Sequence, residues 1–268
     1  MEYIDFHTHT FPDKIAEKAV GKLSVISGIT PATNGTLEQT KDLMSKVGIS
    51  RFVIFNIATN PGQENTINNT AAKVCEDNKG KIISLGSVHP RSQDAFDHLE
   101  NVKKLGLQGI KLHPDYQEFH VDDEFMYPFY KACEELELFV AFHAGYDFYS
   151  PDHIHARPEA LSKIAKDFPN LKMHFAHMGS LRRWNEVSEC IAGLENVYMD
   201  TSMCLTDGLD RDLAVKIINR HPAENVLFGS DCPWENPAET IKYVDSLKIS
   251  DDRKEMIFCK NALSLLKW

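Results

Sequence analysis

The chain has 268 residues, 43% hydrophobic and 25% charged, with a formal net charge of −10. The length matches the roughly 250 residues of one (β/α)8 barrel, and the acidity argues against phosphate backbones or anionic membranes as partners. The six cysteines, Cys75, Cys133, Cys190, Cys204, Cys232 and Cys259, show no Cys-x-x-Cys spacing, which excludes a zinc ribbon or a thioredoxin motif.

The first residues, MEYIDFHTHTF, lack a basic start followed by an apolar run. No apolar stretch approaches the roughly 18 residues of a membrane span. A reduced, cytoplasmic chain is the expectation.

Short apolar runs then alternate with amphipathic segments. Strands are predicted at 3–7 (YIDFH), 51–57 (RFVIFNI), 81–88 (KIISLGSV), 107–113 (LQGIKLH), 138–143 (LFVAFH), 171–177 (LKMHFAH), 196–200 (NVYMD) and 225–231 (NVLFGSD). Most are nearly continuous in apolar character, as buried parallel strands are. Between them, 36–48 (TLEQTKDLMSKVG) reads as a helix with Thr at its N-cap and Gly at its end, and 125–136 and 240–247 place apolar residues three or four apart. Eight strand–helix units predict a closed (β/α)8 TIM barrel in a single domain, residues 1–268. An open doubly wound sheet is the alternative, but no Gly-rich phosphate loop follows the first strand.

Barrel active sites lie at the carboxyl ends of the strands, and here those ends carry metal-ligand residue types. The first predicted strand runs into His7-Thr8-His9, whose imidazoles, two residues apart, project to one side of an extended strand. The fifth ends in His143, the sixth in His177 and the eighth in Asp231. One such residue would pass as structural. Together they form a convergent set of imidazoles and a carboxylate, suited to zinc, manganese, iron or nickel.

The segments DFHTHTF, GIKLHP, VAFHAG, FAHMGS and FGSDCPW follow one another in this order across nearly the whole chain. In them the sequence resembles the amidohydrolase superfamily, within it the barrel branch that also contains non-oxidative decarboxylases. The resemblance implies a metal-activated water attacking a carbonyl, with Asp231 accepting its proton. It also singles out Lys111, in GIKLHP. In binuclear relatives such as dihydroorotases a lysine in a similar setting is carboxylated and bridges two metals, which would give the set His7, His9, Lys111, His143, His177 and Asp231. The plainer reading is a lysine paired with Asp115 or with a substrate carboxylate. One metal would then leave His177 free to polarise the substrate as a catalytic residue.

Weaker candidates remain. His89 and His113, each before a proline, suit outer support of ligands better than ligation. Cys232 reads as a buried thiol. Asp200 either bonds a ligand histidine or faces water. Trp184, Trp234 and Tyr146 wall the pocket or only pack, and Arg182 and Arg183 meet an anionic substrate or stay solvated. His153, His155 and Arg157 belong to a lid or to a surface loop.

The expectation is therefore a metal-dependent hydrolase of an amide, lactone or other carboxylic ester, with zinc first among one or two divalent ions and a small, carboxylate-bearing substrate. Non-oxidative decarboxylation of an aromatic or unsaturated acid is the alternative. Nucleic-acid and membrane partners are not expected, and a homo-oligomer is compatible with the sequence. Phosphoester hydrolysis ranks lower, because the barrel nuclease pattern places a glutamate where Lys111 stands.

Overall fold

The computed structural model describes residues Met1–Trp268. Eight parallel strands follow in chain order: β1 (Tyr3–Thr8), β2 (Ile49–Phe55), β3 (Ile82–Leu85), β4 (Gly109–Leu112), β5 (Phe139–Phe142), β6 (Met173–Phe175), β7 (Val197–Asp200) and β8 (Val226–Leu227). Regular pairing runs β1-β2-β3 and β4-β5-β6-β7-β8. Two seams close the ring. At one, Gly86 N donates to Gly109 O (2.9 Å) and Lys111 N to Gly86 O (2.9 Å). At the other, Phe6 N donates to Phe228 O (2.7 Å), Asp231 N to His7 O (2.8 Å) and His9 N to Cys232 O (2.6 Å). The fold is the (β/α)8 barrel expected from the alternation.

Helices α1 (Asp13–Ser27) and α2 (Leu37–Lys46) follow β1. The Thr36 hydroxyl caps α2 by accepting from Gln39 N (3.3 Å), as Ser and Thr do at helix starts. Then come α3 (Glu64–Asp77), α4 (Ala95–Lys104), α5 (Met126–Glu135) and α6 (Pro158–Asp167). After β6 a short α7 (Trp184–Glu186) widens into a turn at Val187–Ile191, and α8 (Arg211–Arg220) leads to β8. The chain ends through α9 (Pro237–Ser246), α10 (Asp251–Glu255) and α11 (Asn261–Leu265).

The barrel interior is filled by Ile4, Phe6, Val53, Phe55, Ile83, Leu85, Phe139, Ala141 and Leu227, joined by Ala262 and Leu266 from the chain's end. A larger apolar layer lies between strands and helices. Glycine is required at position 109, where an added Cβ would stand 2.3 Å from Phe139 O.

The predicted strands overshoot the observed ones at their functional ends. β6 stops at Phe175 and β8 at Leu227, short of His177 and Asp231. Both residues have positive φ, 62° each, and Met178 follows at 51°. A strand cannot continue through a left-handed residue, and such strain in non-glycine residues clusters at functional sites.

Candidate metal centre

β1 carries one more residue than β2 between matched pairs: Asp5 pairs with Phe52, and Thr8 with Ile54. Such a bulge re-aims side chains. Phe6 fills the barrel core, while the His7 ring beside it lies tilted against Phe55, 4.6 Å between ring centroids. The projection of His7 and His9 to one site thus depends on the bulge as well as on strand alternation.

Three donor atoms converge at the β8–β1 seam. His7 Nε2 lies 3.1 Å from His9 Nε2, and both lie close to Asp231 Oδ1, at 3.2 and 3.1 Å. His143 and His177 meet beside them, Nδ1 to Nε2 at 3.1 Å. The His177 ring stands 5.3 Å from that of His7.

The outward nitrogens fix where the ring protons sit. His7 Nδ1 faces Asp200 Oδ2 at 2.7 Å, and His9 Nδ1 faces Phe55 O at 2.8 Å. His143 Nε2 faces Tyr146 O at 3.1 Å. All three partners can only accept, so these nitrogens carry the protons. The Ser202 hydroxyl donates to Asp200 Oδ1 and so accepts from His177 Nδ1 at 2.8 Å. Burial drives the His7 pKa down to about 3 and lowers those of His143 and His177, so the rings are neutral near pH 7. His7, His143 and His177 therefore turn bare lone pairs toward the centre, and His9, with Nδ1 on Phe55 O, points Nε2 there beside them. Asp231 Oδ1 is buried there without a hydrogen-bond partner, although two imidazole nitrogens lie within 3.2 Å.

Acceptor atoms packed this closely call for a cation. Their spacing is close to the roughly 3.3–3.6 Å that separates ligands held about 2.0–2.2 Å from a tetrahedral ion. The side chains fit a divalent metal.

Asp200 is the hub beneath them and is fully buried. Its Oδ2 also lies 2.9 Å from His174 Nε2, and its Oδ1 accepts from the backbone N of His177 (3.2 Å) and of Ser202 (2.9 Å). Of its two expected roles, the structure shows the bond to a candidate ligand histidine. Gly229 makes the approach feasible, since a Cβ there would lie 2.9 Å from His7 Cβ and 3.0 Å from Asp200 Cβ.

Lys111 Nζ is buried and has no hydrogen-bond partner, 4.8 Å from the centroid of the Phe55 ring. Burial lowers its pKa to about 8. The expected pairing with Asp115 is absent. Asp115 accepts from Ser150 and from His155 Nδ1 (2.9 Å) instead.

The remaining candidates separate clearly. His113 stacks on His143 at 4.3 Å and on Tyr116 at 3.8 Å, while His89 Nδ1 accepts from Arg91 N. Cys232 is a buried free thiol. Trp184 is no pocket wall: its indole N–H holds His177 O at 3.0 Å. Trp234 does line the pocket. Arg182 is tied to Asp207 and Arg183 to Glu186, and neither lines the cavity into which the centre opens. Of the loop at 153–157, His155 is fastened to Asp115. Sequence reading missed His174, Ser202 and Asp147; Asp147 Oδ2 lies 3.5 Å from His143 Nε2 and 3.6 Å from His113 Nε2.

The centre opens into a cavity of about 1080 Å³ lined by His9, Lys111, His143, His177 and Asp231 among others. No helix is long and apolar enough to cross a membrane.

Among solved structures, an uncharacterised TIM-barrel protein from Bordetella bronchiseptica superposes with a TM-score of 0.81 at 22% identity, covering 99% of this chain and 98% of that one. A 5-carboxyvanillate decarboxylase from Novosphingobium aromaticivorans, solved with bound manganese, gives 0.73 at 16% identity, covering 98% and 96%. A 2-keto-4-carboxy-3-hexenedioate hydratase from Sphingobium is 25% identical over 195 residues, 59% of this chain and only 56% of the relative's length. The profile of the Amidohydrolase family matches residues 4–268, and the chain belongs to that family.

Proposed function

We propose that this enzyme is a metal-dependent hydrolase of a small amide, lactone or other carboxylic ester that itself bears a carboxylate. The observation that carries the reading is the convergence of His7 Nε2, His9 Nε2 and Asp231 Oδ1 as bare acceptors beside the unpartnered Lys111 ammonium. His7, His9, Asp231, His143 and His177 are the residues we assign to the metal, with zinc first for an imidazole–carboxylate set and manganese, iron and nickel in the same donor class. A divalent ion held there supplies an acidified water and a polarised carbonyl.

The protein's own groups do the rest. Asp231 Oδ1 takes a proton from the attacking water and returns it to the leaving group. Lys111 Nζ pairs with the substrate's spare carboxylate and so fixes which carbonyl faces Asp231. When a single ion is bound, His177 is left to orient the carbonyl oxygen, which requires its ring proton to move from Nδ1 to Nε2, with the Ser202 hydroxyl turning to donate to Nδ1. Asp200, Phe55 O and Tyr146 O keep the imidazoles in the required tautomers.

A second reading, non-oxidative decarboxylation, draws support from the decarboxylases among the fold neighbours. A panel of lactones, esters and hydroxybenzoic acids assayed in parallel for titratable acid and for carbon dioxide separates the two. Acid without carbon dioxide is the expected outcome; carbon dioxide release from any member would overturn hydrolysis. Lys111→Met then probes the lysine. KM should rise with metal content intact. Halved metal content would instead identify a carboxylated, metal-bridging lysine.

A further inference from the structure

Helix α1 has two apolar stripes. Ala16 and Val20 form the buried one, with Val20 against Gly35. The other runs through Ile15, Ala19, Leu23 and Ile26, spaced four, four and three apart, so that they share one face. None of these four belongs to either apolar core or packs against one. Ile15 is 51% exposed and Ile26 38%. All four line the same cavity as His9, Lys111 and Asp231, as do Phe11 and Lys22. At about 1080 Å³ the cavity exceeds the roughly 300–1,000 Å³ of most small-molecule sites.

We propose that this trench binds an apolar arm of the substrate, an alkyl or aryl chain running outward from the reacting group along α1. The substrate class is then an amphipathic carboxylic acid derivative with its polar end at Lys111. This rests on the reading of the metal end as a carboxylate site. It is carried separately by the helix face, whose apolar side chains line the cavity in direct continuity with that site. A single small acid would leave the stripe wet, whereas a chain lying on it removes apolar surface from water on both sides.

The test uses the metal-loaded full chain and two ligand series in calorimetric titration: straight-chain carboxylates from butanoate to dodecanoate, and the matching primary alcohols. Each added methylene should tighten Kd about three- to fourfold in both series until the trench is full. The double variant Ile15→Glu/Ile26→Glu alters only partly exposed side chains. It should keep its metal and its butanoate affinity while losing the dependence on chain length. A Kd that ignores chain length, or the same dependence in the variant, overturns the trench. So does a parent that is a dimer in solution and becomes monomeric in the variant, since a second copy would then cover the stripe. If alcohols show the dependence but acids bind no tighter than alcohols, the trench stands and the carboxylate reading of the metal end fails.

Discussion

Asp200→Asn tests whether one buried carboxylate sets the metal-binding state of the centre. Asn keeps the volume but exchanges an acceptor for a donor. With its amide nitrogen toward His7, it meets the Nδ1 proton, 2.7 Å away in the parent. The ring then shifts its proton to Nε2, the atom beside Asp231 Oδ1, and the lone pair there is lost. With the amide reversed, its nitrogen confronts the backbone N–H groups of His177 and Ser202, which Oδ1 now accepts. Either way one charge-assisted hydrogen bond disappears, worth about 1.5–3 kcal/mol. Metal affinity should fall about 10- to 100-fold, the range found for outer partners of ligand histidines. Competition against a chromophoric chelator measures the affinity, and the absorption spectrum of the cobalt-loaded protein reports the ligand field at the same time. His174→Phe, which removes only the second partner of Oδ2, should weaken binding less. A folded Asp200→Asn protein with parental affinity and an unchanged cobalt spectrum would refute the argument.

Further outcomes follow from the same geometry. His7→Ala combined with His9→Ala should abolish metal binding and turnover in a protein that still folds; full metal content by elemental analysis would remove both from the site. Asp231→Asn keeps an oxygen for the metal but cannot carry a proton, so kcat should drop about 10²–10⁴-fold with much of the metal retained; a rate near the parent's at full metal content would end the proton-carrying role. Away from the site, buried His221 is pushed down to about 4 by burial, accepting at Nδ1 from Gly193 N and donating from Nε2 to Val197 O. Its folded pKa lies below the unfolded one, so the unfolded chain binds more protons between about 4 and 6.5 and stability falls as pH drops through that window, by on the order of 3 kcal/mol in full. Denaturant titrations of the metal-free protein should show this loss, and His221→Gln should reduce it, the remainder coming from His7, His143 and His177.

The barrel and the ring of donor residues were legible because both rest on residue type and period. Near-continuous apolar runs mark buried parallel strands, and His7, His9, His143, His177 and Asp231 stand where such runs end. What held them in place was less visible. Phe55 O and Tyr146 O orient His9 and His143 through the backbone, which leaves no trace in residue identity. The bulge in β1 is a register effect between two strands and has no local signature. His174 did carry a signal, a histidine at an inward position of an otherwise apolar strand, and its Asp200 partner sits at an inward position of the next strand. The ends of β6 and β8 were placed too far along because His177 and Asp231 adopt left-handed backbone that propensity does not assign to them. Arg182 looked as available for an anion as for solvent, because Asp207, 25 residues on, is reached only in three dimensions; the Arg183 partner, Glu186, stood three residues along and could have been read.

The seam between β8 and β1 joins the first and last strands of the barrel. β8 contributes only two residues of regular strand, and three backbone hydrogen bonds stitch its extension to β1. The candidate ligands straddle that stitch, His7 and His9 on one side and Asp231 on the other. A cation between them would work as a clasp, cross-linking the first and last strands of the ring and closing most of the chain into a loop. The entropy that such a link removes from the unfolded chain grows with loop length, so metal binding and global stability are coupled. The amides of His9 and Asp231, which pair across this seam, should therefore exchange with solvent faster in the metal-free protein than in the metal-loaded one.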